Sequence, residues 1–173
     1  MTRFGPPAIQ GRLPPPMRPA GRILMQKPDH QDAELLLRLY ELRREERMRQ
    51  ARQWFLHAYQ PVPWEQMKGT YMKGTPEDAS LRMVTSYWDM VGALVNNGVL
   101  HAGLLFETTG EDIQVWDKVR GWVEGIRKES RPTYLRNLEL LATRHLEWRR
   151  RHAASLPHEQ ARIPLRGMPG PDA

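Results

Sequence analysis

Between Pro76 and Asn96 the apolar residues fall on two adjoining helical stripes. Leu81, Val84, Trp88, Val91 and Val95 form one, and Met83, Tyr87, Met90 and Leu94 form the other. Spacings of three and four residues place each set on one side of a helix. Together the stripes cover most of the circumference, which requires a helix at the centre of a domain. Other amphipathic helices must then enclose it. Its ends are also marked. Thr75 can cap the start, Pro76 takes the first helical position, and Glu77 and Asp78 face the positive helix end. Asn97-Gly98 supplies a left-handed stop.

The flanking sequence provides the enclosing helices. Asp29 to Tyr59 reads as one long helix, capped by Asp29 or Asp32 and ended by Pro61 and Pro63. Its middle, RREERMRQARQ, keeps a thin apolar stripe of Met48 and Ala51 before Trp54 and Phe55. Glu41, Glu45 and Glu46 interleave with the arginines there, so this is expected to be a solvated face and not a nucleic-acid stripe. Tyr59 to Ser80, with its tandem Met-Lys-Gly-Thr, reads as a loop. After a short helical turn, Thr109 to Asp112 repeats the capping pattern of Thr75 to Asp78. The next helix runs to about Glu129, with Ile113, Trp116, Val119, Val123 and Ile126 on one face. Ser130 and Pro132 start the last helix, which presents Tyr134, Leu138, Leu141, His145 and Trp148. Nothing alternates with the two-residue period of a strand. The expected fold is all-α: a compact bundle of about four to five helices, with a long first helix and extended N- and C-terminal arms. The expected division is an arm over 1–28, a helical domain over 29–152 and a tail over 153–173.

The net charge of +6 belongs mainly to the first arm. Residues 1–28 carry Arg3, Arg12, Arg18, Arg22 and Lys27 without one acid, together with seven prolines. Proline excludes both helix and central strand, and the composition is that of a segment that does not fold alone. Apolar residues are nevertheless spaced between the cations. Arg3, Phe4, Arg12, Leu13, Arg18, Arg22, Ile23 and Lys27 are the expected partner-binding residues of the arm.

Catalytic patterns are lacking. The chain has no cysteine, no glycine-rich phosphate loop and no His-Glu-x-x-His pair, and its six histidines are scattered. No metal, cofactor or small-molecule substrate is expected. Asp89, set among Trp88, Met90 and Val91, has no second catalytic group in the sequence. A buried carboxylate needs a donor, so Asp89 is expected to pair with one from a neighbouring helix. Trp88, Asp89 and Trp116 are the expected structural anchors.

The pattern SYWDMVGALVNNGVLHAGLLFETTGEDIQVWDKVRGWVEGIRKE, followed by YLRNLELLA, resembles an uncharacterised bacterial all-helical family, a domain of unknown function with acidobacterial-type members. The resemblance runs from about Asp32 to Trp148 and implies no activity or cofactor. The expected function is a non-enzymatic accessory subunit, cytoplasmic or peripheral on the cytoplasmic face of a membrane complex. It would dock on a larger complex with an acidic face through its helical body and basic arm. An anionic membrane surface is a further surface for the arm. The alternative is an RNA- or DNA-associated protein, such as one bound to a ribosome, supported by the arm and by Arg149 to Arg151.

Overall fold

The computed structural model describes residues 27–71 and 74–155. These form seven helices and no strand: α1 (His30–Arg44), α2 (Glu46–His57), α3 (Trp64–Thr70), α4 (Pro76–Asn96), α5 (Ala102–Thr108), α6 (Glu111–Glu129) and α7 (Arg136–Ser155). The fold is all-α, with more helices than the four to five expected. Two departures account for the excess: the first helix is divided, and part of the expected loop is helical.

The central helix is α4. It begins as its sequence dictates, with the Thr75 hydroxyl accepting the Asp78 N–H at 3.2 Å and Pro76 in the first turn. Gly98 ends it in the left-handed region at φ 70°. Val84, Trp88, Val91 and Val95 are buried, and α4 packs against α2, α6 and α7. The second stripe is less covered, since Met90 reaches the surface.

The long first helix breaks at Glu45, whose ψ of 139° is extended. The Glu45 carboxylate accepts the Met48 N–H at 3.1 Å and starts α2 as its cap. No proline or glycine marks this point. The reason is tertiary: Arg43 and Arg52, nine residues apart, fall on opposite sides of a straight helix, about 180° apart at 3.6 residues per turn. The break lets both reach Glu111.

Helix α3 corrects the expected loop. Trp64, Met67 and Tyr71 are spaced i, i+3, i+7, and Met67 is buried. The Trp64 indole N–H donates to Glu129 at 2.7 Å and its ring lies on Gly125, where a Cβ would come within 2.2 Å of the indole. At the far end of α2, the Lys118 ammonium donates to the carbonyls of Phe55, Leu56 and Tyr59 at 2.9 to 3.1 Å. A cation there complements the negative helix terminus.

The start of α6 is also corrected. Its cap residue is Gly110 and makes no side-chain bond, so Thr109 to Asp112 does not repeat the earlier pattern. Glu111 and Asp112 instead turn inward and are buried. Before α7 the chain makes turns over 131–135, with Leu135 buried at a left-handed φ of 51°. Helix α7 extends to Ser155, into the first residues of the expected tail. Among the described residues, no helix is long and apolar enough to cross a membrane.

Candidate functional site

The first residue of α6, Glu111, organises one end of the bundle. Arg43 from α1 donates to its Oε2 at 2.7 Å, and Arg52 from α2 donates through Nε to Oε1 at 2.8 Å and through a second nitrogen to Oε2. Trp88 from α4 adds its indole N–H to Oε1 at 3.0 Å. The Arg43 guanidinium also lies 5.3 Å from the Trp88 ring centroid. Burial by itself would raise the Glu111 pKa, but the Arg52 hydrogen bond, the Arg43 charge and the Trp88 donor outweigh it and hold the carboxyl below its ordinary value. The carboxylate is therefore ionised. It is shared by two cations, which leaves this cluster with one net positive charge.

Above the cluster lies a groove of about 270 Å³. One wall is α1, through Leu36, Leu37, Leu39, Tyr40 and Arg43. Tyr87 and Trp88 form the floor, and Leu105, Thr108 and Thr109 form the opposite wall. The Tyr87 hydroxyl donates to the Leu39 carbonyl at 2.8 Å and so ties the floor to α1; burial pushes this phenol up to about 12. Arg43 is the one lining residue with an ionised side chain, and its Nε is buried without a partner. At the rim, Leu37 is 64% exposed and Tyr40 54% exposed.

A second buried pair lies one residue along α6. Asp112 and His145 have no exposed surface, and His145 Nδ1 is 2.9 Å from Asp112 Oδ2. The imidazole stacks on Phe106 at 4.3 Å, and its Nε2 has no partner. The pair ties α6 to α7 inside the core.

The expected anchors take different places. Trp88 is buried and pairs with Glu111. Asp89 is half-buried, and its Oδ1 accepts the Leu138 N–H at 3.0 Å, at the open N-terminus of α7. One turn along α4, a Cβ on Gly92 would come within 2.5 Å of the Asn137 carbonyl oxygen, so α7 seats where a side chain is absent. Asn96 completes the ridge by donating to that same carbonyl at 3.2 Å. Trp116 is only partly buried against the core and lies outside the Glu111 cluster. Of the arm residues, Lys27 is exposed just before α1. Arg3, Phe4, Arg12, Leu13, Arg18, Arg22 and Ile23 lie outside the described residues.

Sequence reasoning missed Glu111, Asp112, Arg43 and Arg52 as a constellation. One signal was available. Glu111 and Asp112 stand four and three residues before Val115, at the head of the buried stripe Val115, Val119, Trp122 and Ile126. Acids that begin a core stripe are placed to point inward.

The class defined by these features is an all-helical bundle with a charged internal hub and an apolar surface groove. The model of the family described as Domain of unknown function (DUF4760) matches residues 28–145, and the chain belongs to that family. No curated protein and no solved structure matches the chain.

Proposed function

We propose that the chain is a non-enzymatic accessory subunit of a larger protein complex in the cytoplasm, docking through the α1 face of its helical body and through the arm over residues 1–28. One observation carries this reading: Leu37 and Tyr40 are exposed side by side at the rim of an apolar groove. Contiguous apolar surface of this kind, bordered by polar residues, marks an interaction site more often than isolated exposed leucines do. The polar groups below the groove support the same reading. Glu111 is committed to Arg43, Arg52 and Trp88, which suits a group that holds helices in place better than one that exchanges protons.

The test places a photo-crosslinking amino acid at Tyr40 or, as a control, at exposed Arg120, in the full chain within its own cells. The expected result is one protein in stoichiometric yield from position 40 and none from position 120. No crosslink from position 40, or the same mixture from both, would overturn the reading. Deleting residues 1–26 is expected to weaken recovery of that partner; unchanged recovery removes the arm from the proposal.

A further inference from the structure

We infer that the groove takes an amphipathic helix of a separate polypeptide, with a carboxylate one turn from its apolar anchors. This rests on the docking reading above and adds the chemistry of the partner.

The charge at the groove has one sign. Arg43 is the charged lining residue, and it shares Glu111 with Arg52, two cations on one anion. Arg44, next along α1, is exposed, holds its guanidinium 5.9 Å from the Tyr40 ring centroid, and makes no ion pair among the described residues. Of the nearby acids, Glu41 lies about 160° round α1 from Arg43 but one turn before Arg44, at the edge of this face, and the two form no ion pair among the described residues. Glu45 caps α2, and Glu46 pairs with Arg49. A carboxylate brought over the rim would meet Arg43 and Arg44 with the groove wall excluding water on one side, where such contacts gain strength. The chain's own arm has the wrong sign for this place, with five cations and no acid over residues 1–28.

Shape separates a helix from a small ligand. A molecule that filled about 270 Å³ would touch the groove-facing sides of Leu37 and Tyr40 but not Arg44, which does not line the groove. A helix laid along α1 spans all three. Leu36, Leu37, Tyr40, Arg43 and Arg44 follow the i, i+1, i+4, i+7, i+8 order of one helix face. That face is about 12 Å long at 1.5 Å per residue, room for two turns of a partner with two or three apolar anchors.

The test uses the full-length chain and a phage-displayed library of helical peptides of about 18 residues, with leucine fixed at i, i+3 and i+7 and the flanking positions randomised among Glu, Lys and Gln. Clones that bind are expected to be enriched in Glu one turn from the leucines and to lose at least about tenfold in affinity to L37A/Y40A. Against R44E the enrichment is expected to shift from Glu to Lys. All three substitutions are at exposed positions, so unchanged circular dichroism and melting temperature verify the fold. No binding clone, a preference for Lys or no preference, or clones indifferent to L37A/Y40A would each overturn the inference. Deletion of residues 1–26 that raises peptide affinity about tenfold would also overturn it, by showing the arm as the occupant. A stoichiometric crosslink from position 40 alongside any of these failures would sink the acidic helix alone and leave the docking reading standing.

Discussion

Replacing Asp89 tests the seam between α4 and α7. In the structure its carboxylate accepts the Leu138 N–H, one of the amides at the start of α7 that the helix itself cannot satisfy. Leu135, just before α7, has no polar side chain to act as a cap, so α4 supplies the cap in its place. Loss of a capping acceptor costs about 1 kcal/mol, and loss of a negative charge at a helix N-terminus a further 0.5 kcal/mol or so at a half-buried site. Asp89→Ala should therefore destabilise by about 1.5 kcal/mol. Asp89→Asn keeps an acceptor and loses the charge, and should cost about 0.5 kcal/mol. Urea unfolding followed by circular dichroism resolves the two, since 1.5 kcal/mol moves the midpoint by about 1 M at a typical slope. A cost below about 0.5 kcal/mol for alanine would refute the capping role. Equal costs for alanine and asparagine would refute the retained acceptor.

Four further outcomes follow from other contacts. Gly92→Ala should destabilise by about 2 kcal/mol or more in the same urea experiment, because its Cβ would meet backbone, which cannot swing aside as a side chain can. Lys118→Met removes three bonds to the end of α2 and should cost about 1–2 kcal/mol, read as a lower thermal midpoint with the fluorescence of nearby Trp54 changed. The Glu111 carboxyl is held below its ordinary value of 4.5, so its contribution is complete above that pH and fades as pH falls through the lower folded value. Glu111→Gln should lower stability at pH 7 and flatten the acid limb below pH 4.5, which unfolding curves from pH 7 to pH 3 would resolve. Burial raises Tyr59 and Tyr87 from 10.0 to about 12, so stability should be retained to pH 10 and fall as pH rises toward 12, with phenolate absorbance at 295 nm appearing together with unfolding.

How much of this could be read from the sequence depended on whether the determinant was local. Thr75-Pro76 and Asn97-Gly98 begin and end α4 through bonds within a few residues, so that helix was legible almost to its ends. The capping pattern at Thr109 to Asp112 looked identical in type and behaved otherwise, because Glu111 and Asp112 find stronger partners across the bundle than at their own helix end. The break at Glu45 had no local mark. Its extended backbone follows from a demand set 66 residues away, a carboxylate that both Arg43 and Arg52 must reach. Helix α3 was hidden for the opposite reason. Trp64, Met67 and Tyr71 carried the period, but flanking prolines and the glycine-containing duplication suggested a loop. What holds α3 is Trp64 on Gly125, a fit that only the folded α6 provides.

These determinants converge on the groove. Glu111 draws Arg43 and Arg52 together and so places α1 and α2 at the angle that the break permits. Tyr87, bonded to the Leu39 carbonyl, then sets the distance between α1 and the floor. Neither contact needs Leu37 or Tyr40, which stand on the outer side of the same helix at no evident benefit to the fold. Substitution of the internal set, Glu111, Arg52 or Tyr87, should therefore lower stability and remove the groove together. Substitution of Leu37 or Tyr40 should leave stability within about 0.5 kcal/mol and act on binding alone. If Leu37→Ala or Tyr40→Ala destabilised the chain as much as Tyr87→Phe, the rim would be part of the core, and the division between a supporting cluster and a docking face would fail.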